Sequence, residues 1–248
     1  MILTKSLVEL ETMREAGRIT AKALRVVGEA VRVGVSTGEL DRIAEECIRS
    51  EGAVPAFKGY HGFPATLCTS LNEQVVHGIP GRRRLAEGDI LSVDCGAIID
   101  GFYGDSAMTF PVGDISPEAR RLLDATAGSL EAGIARCREG MRLYDIGAAV
   151  QKVAEGAGFS VVREYVGHGI GRSMHEDPQV PNFGKAGSGP ALKIGMVLAI
   201  EPMVNAGAYE VHGLSDGWTV VTSDSSLSAH FEHTVAVTEN GPMILTVE

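Results

Sequence analysis

The sequence predicts an α+β fold in which the order helix, helix, strands occurs twice around a shared sheet. Three observations predict it. Helix-start signals stand at Ser6-x-x-Glu9, Ser36-x-x-Glu39 and Ser116-Pro117-Glu118, and the first and third lie 116 − 6 = 110 residues apart. Apolar residues after each start recur at helical spacing, then give way to stretches rich in Gly, Pro and β-branched residues. No low-complexity linker separates the two sets, so residues 1–248 are expected to form a single catalytic domain with similar halves at about 1–112 and 113–248.

Taking the elements in order, Leu10, Met13, Thr20, Leu24, Val27 and Val31 form one face of a long first helix that stops by Gly34. Leu40, Ile43, Ala44 and Cys47 form the inner face of a second, ending near Gly52. Residues 53–80 are read as short strands joined by functional loops. A β-hairpin follows from Ile90 to Val112, turning at Asp100-Gly101. The third helix runs to about Cys137 and the fourth from about Tyr144 to Ala157, each followed by a glycine. Further strands are expected at about 160–166, 197–203, 218–222 and 229–238, with a last tight turn at Asn240-Gly241. Glu176-Asp177-Pro178 indicates a loop.

Composition narrows the class of molecule. The formal charge is 22 − 32 = −10, which argues against nucleic acid as the main ligand. With 44 % apolar and 22 % charged residues the chain is an ordinary globular one. The longest clear apolar run, Met196 to Ile200, is far short of the ~18 residues that span a bilayer. No membrane partner is expected. The amino terminus has no apolar signal core, and Cys47, Cys68, Cys95 and Cys137 contain no Cys-x-x-Cys pair, so a cytoplasmic protein with free thiols is expected. Thirty-one glycines in 248 residues exceed the ~17 that average usage gives, which implies many turns or backbone lying close to a ligand.

The hairpin geometry can be worked out. With Asp100 and Gly101 as the loop, opposing positions sum to 201, so Asp94 faces Ala107 and Asp105 faces Gly96. Residues two apart share a face, so Asp94 and Asp105 form a diagonal pair within reach of one ion. Asp94 sits in an apolar strand, where an uncompensated charge is costly. His168 lies among the glycines of Gly167-His168-Gly169-Ile170-Gly171, and His175 follows seven residues on. Glu201 ends the apolar run Val197-Leu198-Ala199-Ile200, and Glu232 interrupts a second apolar strand. Four carboxylates and one imidazole suit Mn, Fe(II), Co or Zn. Two divalent ions carry the +4 that balances the four acids, which points to a dinuclear hydrolytic site.

The order Asp94, Asp105, His168, Glu201, Glu232, with His175 and Glu201-Pro202-Met203, resembles that of the type I methionine aminopeptidases. Ser36-Thr37-Gly38-Glu39-Leu40-Asp41, Asn72-Glu73, His77-Gly78-Ile79-Pro80 and Asp216-Gly217-Trp218-Thr219 extend the resemblance over nearly the whole chain. It implies the pseudo-twofold pita-bread fold, two helix-helix-strand halves around a central antiparallel sheet. It also implies that Asp94 binds one metal ion, His168 and Glu201 the other, and that Asp105 and Glu232 bridge both. His77 would contact the substrate amide, His175 the scissile carbonyl oxygen, and Glu201 would shuttle the proton. The methionine pocket would comprise Phe57, Tyr60, Phe63, Cys68 and Trp218. Phe57 and Phe63 stand where the family often has Cys and Tyr, and Met174 where an aromatic is common.

Asn72 and Ser228 match positions that hold a monovalent cation in some relatives, although turn hydrogen bonding explains them equally well. Substrates implied by the resemblance are peptides and nascent chains with N-terminal methionine before a small second residue, cut by a monomer. The chain begins directly at the first helix, so no N-terminal extension is expected. Arg82-Arg83-Arg84 reads either as a solvated turn or as a transient ribosome contact. Three alternatives are weighed. A non-catalytic pita-bread binding protein would show broken ligands, a two-metal phosphoesterase would need cations aimed at phosphate, and a Cys-His hydrolase would need an activated Cys68 or Cys95.

Overall fold

The computed structural model describes residues 2–248. Helix α1 (Leu7–Ala30) starts as its capping box dictates: Ser6 Oγ accepts from Glu9 N and the Glu9 carboxylate accepts from Ser6 N. It ends before Gly34, because Val31 already turns extended. Helix α2 (Thr37–Ser50) carries the same box at Ser36 and Glu39. Strand β1 (Val54–Pro55), a 3₁₀ turn at Tyr60–Gly62, β2 (Leu67–Leu71) and β3 (Gln74–Val76) fill the expected loop-rich stretch. The hairpin of β4 (Ile90–Ile99) and β5 (Phe102–Pro111) turns at Asp100 and Gly101, both with positive φ, as a two-residue turn requires.

The second set begins with α3 (Pro117–Ile134), capped by Ser116, and α4 (Leu143–Gly156), where Asp145 accepts from Arg142 N. The third helix stops three residues short of the expected Cys137. Then come β6 (Ser160–Val161), β7 (Gly167–Gly169), β8 (Glu176–Val180), β9 (Val197–Ile200), β10 (Met203–Asn205), β11 (Val211–Gly213), β12 (Val220–Thr222), β13 (Ser228–His230), β14 (His233–Thr238) and β15 (Gly241–Ile244). All the strand pairs are antiparallel. Strands β1 and β2 share one edge of β4 and β5 takes the other; the largest second-half sheet runs β15-β14-β9-β7-β8.

Five expectations need correction. Residues 176–180 are not a loop but strand β8, and Pro178 is tolerated because β8 lies at the sheet's edge, where a missing N–H breaks no ladder. The strand expected over 160–166 shrinks to Ser160–Val161. Those expected over 197–203 and 229–238 each break in two, at Glu201-Pro202 and at Phe231-Glu232, and change sheets. Pro202 has no N–H to continue a ladder, which explains the first break. The last turn uses Glu239 and Asn240 as loop residues; Gly241 pairs with Thr238 and carries the positive φ itself.

Strand parity decides what faces the site. Leu91, Val93, Cys95 and Ala97 of β4 pack against Ile19, Leu24, Val27, Leu40 and Ile48 of the first helix pair. A buried Leu or Ile of this kind contributes about 1.5–3 kcal/mol. Asp94 therefore points to the opposite side of the sheet. The second helix pair covers β9 and β14 in the same way, Leu130, Ile134 and Ile146 meeting Leu198, Ile200, Val235 and Val237. Helix α1 lies so close on β5 that a Cβ on Gly104 would come 2.7 Å from Gly17 N.

Hydroxyl groups tie β5 to β13 and β14. Ser106 Oγ donates to Glu232 O at 2.6 Å, Thr109 Oγ1 donates to His230 O at 2.9 Å, and Thr234 Oγ1 donates to Asp105 O at 2.7 Å. Glu232 N donates directly to Ala107 O at 2.9 Å. This seam brings the hairpin acids against the C-terminal strands. All four cysteines are free, and among the described residues no helix is long and apolar enough to cross a membrane.

Candidate metal centre and active site

A cavity of about 240 Å³ opens on the seam. All five expected donors line it, as do His77, His175, Phe57, Tyr60, Phe63, Cys68 and Trp218. Asp94 and Asp105 occupy the register worked out from the turn, opposite Ala107 and Gly96. The break after β9 places Glu201 at the cavity, and the break between β13 and β14 places Glu232 there. Asp105, His168 and Glu232 are buried, while Asp94 and Glu201 open onto the cavity.

The donors are spaced for an ion rather than for one another. His168 Nε2 lies 3.5 Å from Glu201 Oε1 and 3.9 Å from Asp105 Oδ2. Both separations are too long for a hydrogen bond. Two ligands each about 2.1 Å from a shared ion lie at most about 4.2 Å apart, so these distances suit co-ligation. His168 Nδ1 is 2.9 Å from Gly169 O, which fixes its proton there and leaves Nε2 bare. Asp94 Oδ1, Asp105 Oδ1 and Glu232 Oε1 are buried without a hydrogen-bond partner among the described residues. Native proteins rarely leave such atoms bare.

Charge tells the same story. Burial, then the charges of Asp105 and Glu201, push Asp94 well above the usual carboxylate range. Burial and Asp105 do the same to Glu201, and burial with all three other acids does so to Glu232. Asp105 is pushed up to about 7 by burial, against hydrogen bonds from Asp94 and Ser106 N. Four carboxylates can be ionised together here only with cations among them. Among the described residues no lysine or arginine lines the cavity. Asp105, His168 and Glu232 have donor atoms within 4.8 Å of one another, so they could hold a metal ion, and the residues present fit one.

Around the acids stand neutral histidines. Burial holds His77 and His168 down to about 4, with His175 adding to each, and lowers His175 with help from His61. His77 takes a positive φ of 60° and its ring stands edge-on to Tyr165 at 5.7 Å. His175 Nδ1 is 2.8 Å from Tyr60 Oη, and its ring is 4.3 Å from that of His168. Phe57, Phe63, Cys68 and Met174 form one buried cluster, with Trp218 edge-on to Phe63 at 5.0 Å.

Asn72 and Ser228 lie outside this cavity. Asn72 Nδ2 donates to Asp89 and its Oδ1 accepts from Ile90 N, Ser228 Oγ donates to Asn205, and Ser228 N donates to Asn72 O. Sequence reasoning passed over two residues at the site. His61 lines the cavity beside Tyr60. His230 forms a second three-donor set with Glu201 and Glu232. The available signal was its place two residues before Glu232, one strand period away.

Residues 11–239 match the profile of metallopeptidase family M24. The chain belongs to that family. A methionine aminopeptidase of Clostridium perfringens is 56 % identical to this M24 chain, over 100 % of it and 99 % of the relative. Methionine aminopeptidase 1 of Bacillus subtilis is 54 % identical over 99 % of both. The crystal structure of methionine aminopeptidase from Thermotoga maritima superposes with a TM-score of 0.99 at 46 % identity, covering both chains fully. Prolidase from Pyrococcus furiosus shares the fold alone, with a TM-score of 0.77 at 23 % identity, over 99 % of this chain and 65 % of that one. The M24 chain has the pita-bread fold, and the divalent-metal use of its family accords with the buried acid cluster.

Proposed function

We propose that this chain is a metal-dependent aminopeptidase that removes N-terminal methionine from polypeptides whose second residue is small. One observation carries the reading: the buried apolar cluster of Phe57, Phe63, Cys68 and Met174 lines the same cavity as the five metal-type donors. A thioether side chain packs well against aromatic rings and sulfur. In this reading Asp94, Asp105, His168, Glu201 and Glu232 would hold two divalent ions. When bound, such ions supply Lewis acidity and make water acidic enough to act at neutral pH.

The chain's own groups do the rest. Glu201 takes a proton from the attacking water and passes it to the departing amide nitrogen. Tyr60 Oη lies 2.8 Å from His175 Nδ1; with the hydroxyl donating there, the proton of that neutral ring stands on Nε2, free to donate to the carbonyl oxygen as negative charge develops. His77, neutral and fixed by its backbone and Tyr165, holds the substrate amide. A free α-amine, which an internal peptide bond lacks, would lie in this donor-lined cavity. Phe63 and Trp218 keep water from the methionine side chain.

The test is hydrolysis of Met-Ala-Ser by chelator-stripped protein with Mn, Fe(II), Co or Zn returned singly, alongside Glu201→Ala. Activity should return with metal and be lost in the variant. Turnover without metal, or unchanged in the variant, defeats the reading, and a phosphate ester in parallel should remain intact. In the cell the substrates are nascent chains in the cytoplasm, and the exposed Arg82–Arg84 run is the surface proposed to meet ribosomal RNA. Normal pelleting with ribosomes after triple alanine substitution removes that contact from the account.

A further inference from the structure

Glu201 is held between two imidazoles. Its Oε1 lies 3.5 Å from His168 Nε2 and its Oε2 lies 3.7 Å from His230 Nε2. The two histidines differ in what their other atoms do. His168 gives its Nδ1 proton to Gly169 O, so its Nε2 is bare and faces the acids as an ion ligand would. His230 Nε2 is wholly buried and has no hydrogen-bond partner among the described residues, and besides Glu201 Oε2 the carboxylate facing it is Glu232 Oε2 at 4.0 Å.

The backbone of His230 is pinned to β5 and to β10. Thr109 Oγ1 accepts from His230 N and donates to His230 O, both at 2.9 Å. His230 also pairs with Met203, two residues beyond Glu201, and the Glu201 carbonyl accepts from Asn182 Nδ2 at 3.0 Å. A contact of 3.7 Å exceeds the longest good N–H···O bond by about half an ångström. A small rotation of the carboxylate closes it. An N–H left bare in the interior is unfavourable, so the pair gains by closing.

We propose that His230 is a positioning residue for Glu201, its Nε2–H holding the Oε2 edge of the carboxylate so that Oε1 stays turned toward His168. The inference rests on the reading of Glu201 as a metal donor and proton carrier. It assigns the two flanking imidazoles opposite parts: His168 offers a lone pair, His230 offers a hydrogen. A carboxylate fixed at one oxygen keeps a single orientation at the other, as donors behind metal ligands commonly ensure.

His230→Gln keeps an N–H that reaches the same place, and His230→Leu fills the space without one. Co(II) is titrated into chelator-stripped protein and followed by calorimetry and visible absorption. His230→Gln should match the unsubstituted protein in spectrum and in affinity, whereas His230→Leu should bind at least ~10-fold more weakly, the usual cost of losing a group behind a ligand. With Met-Ala-Ser, His230→Leu should lower kcat with KM little changed, and His230→Gln should restore it. ¹⁵N-histidine NMR of the Zn(II)-loaded unsubstituted protein needs no variant to fold, and should show the proton on Nε2 of His230 but on Nδ1 of His168.

Leu behaving like His overturns the proposal. So does His230→Gln losing affinity and spectrum as completely as His230→Leu, or a bare Nε2 at His230, since either makes His230 a ligand itself. Unsubstituted protein that takes up no Co(II) sinks the metal-centre reading instead, and the two failures are thereby distinct.

Discussion

Asp94 and Asp105 stand as a diagonal pair on one face of the β4–β5 hairpin, Asp94 opposite Ala107 and Asp105 opposite Gly96. Like charges this close, buried with Glu201 and Glu232, oppose folding when no cation is present. Neutralising one acid should therefore have two effects of opposite sign. Asp105→Asn should raise the melting temperature of the chelated protein and weaken Mn(II) binding by 10-fold or more, on the order of a lost metal-site group. Scanning fluorimetry and calorimetry on the same preparation read both; a fall in both quantities would contradict the account.

The same repulsion sets a pH dependence. Asp105 has its folded pKa raised from 3.8 to about 7, so the unfolded chain loses that proton first and metal-free stability falls as pH rises through that window. Asp94, Glu201 and Glu232 shift in the same direction. Chelated protein should be less stable in urea at pH 8 than at pH 5.5 from these groups, and added metal should recover more stability at pH 8. Equal recovery at both values argues that the acids are not the groups responsible.

Phe63 packs edge-on to Trp218 and is 4 % exposed. Its truncation to Ala should cost about 3 kcal/mol of stability. It should also raise KM for Met-Ala-Ser more than it lowers kcat, because the ring touches the side chain and not the reacting bond. Trp218 fluorescence should shift to the red. An unchanged KM removes Phe63 from the pocket.

Lys5 and Glu176 form an ion pair at 2.5 Å with side chains 6 % and 10 % exposed. Glu176 Oε1 also accepts from Arg172 N at 2.8 Å, and Glu176 directly follows His175. Lys5→Met strands a buried carboxylate, which costs about 3 kcal/mol or more. Pairing it with Glu176→Gln should recover much of that loss in urea denaturation and restore turnover in step. No recovery in the double variant would show that packing of the lysine stem, not its charge, holds the segment.

Local geometry was legible in the sequence wherever it was set by short range. The Asp94 and Asp105 register followed from a two-residue turn and strand parity alone. Capping at Ser6, Ser36 and Ser116 did likewise. The convergence of His168, Glu201 and Glu232 on the hairpin was not legible in spacing, since it depends on hydroxyl bonds such as Ser106 to Glu232 that join distant segments. It was read from the donor types and their charge balance, and then from family resemblance. Strand breaks at Pro202 and Glu232 were read as continuous because the apolar pattern runs through them. His230 was overlooked although it stands one strand period before Glu232, because Glu232 already accounted for a polar group in that apolar stretch.

The hydroxyl seam has a bearing on biogenesis. Asp94 and Asp105 precede α3, whereas His168, Glu201 and Glu232 follow it, and 138 positions (232 − 94) separate the first acid from the last. A chain still emerging from synthesis thus holds incomplete sets of liganding groups until Ser106, Thr109 and Thr234 lock. Under the proposed two-ion site, ion binding would follow the docking of the C-terminal strands on the hairpin rather than precede it.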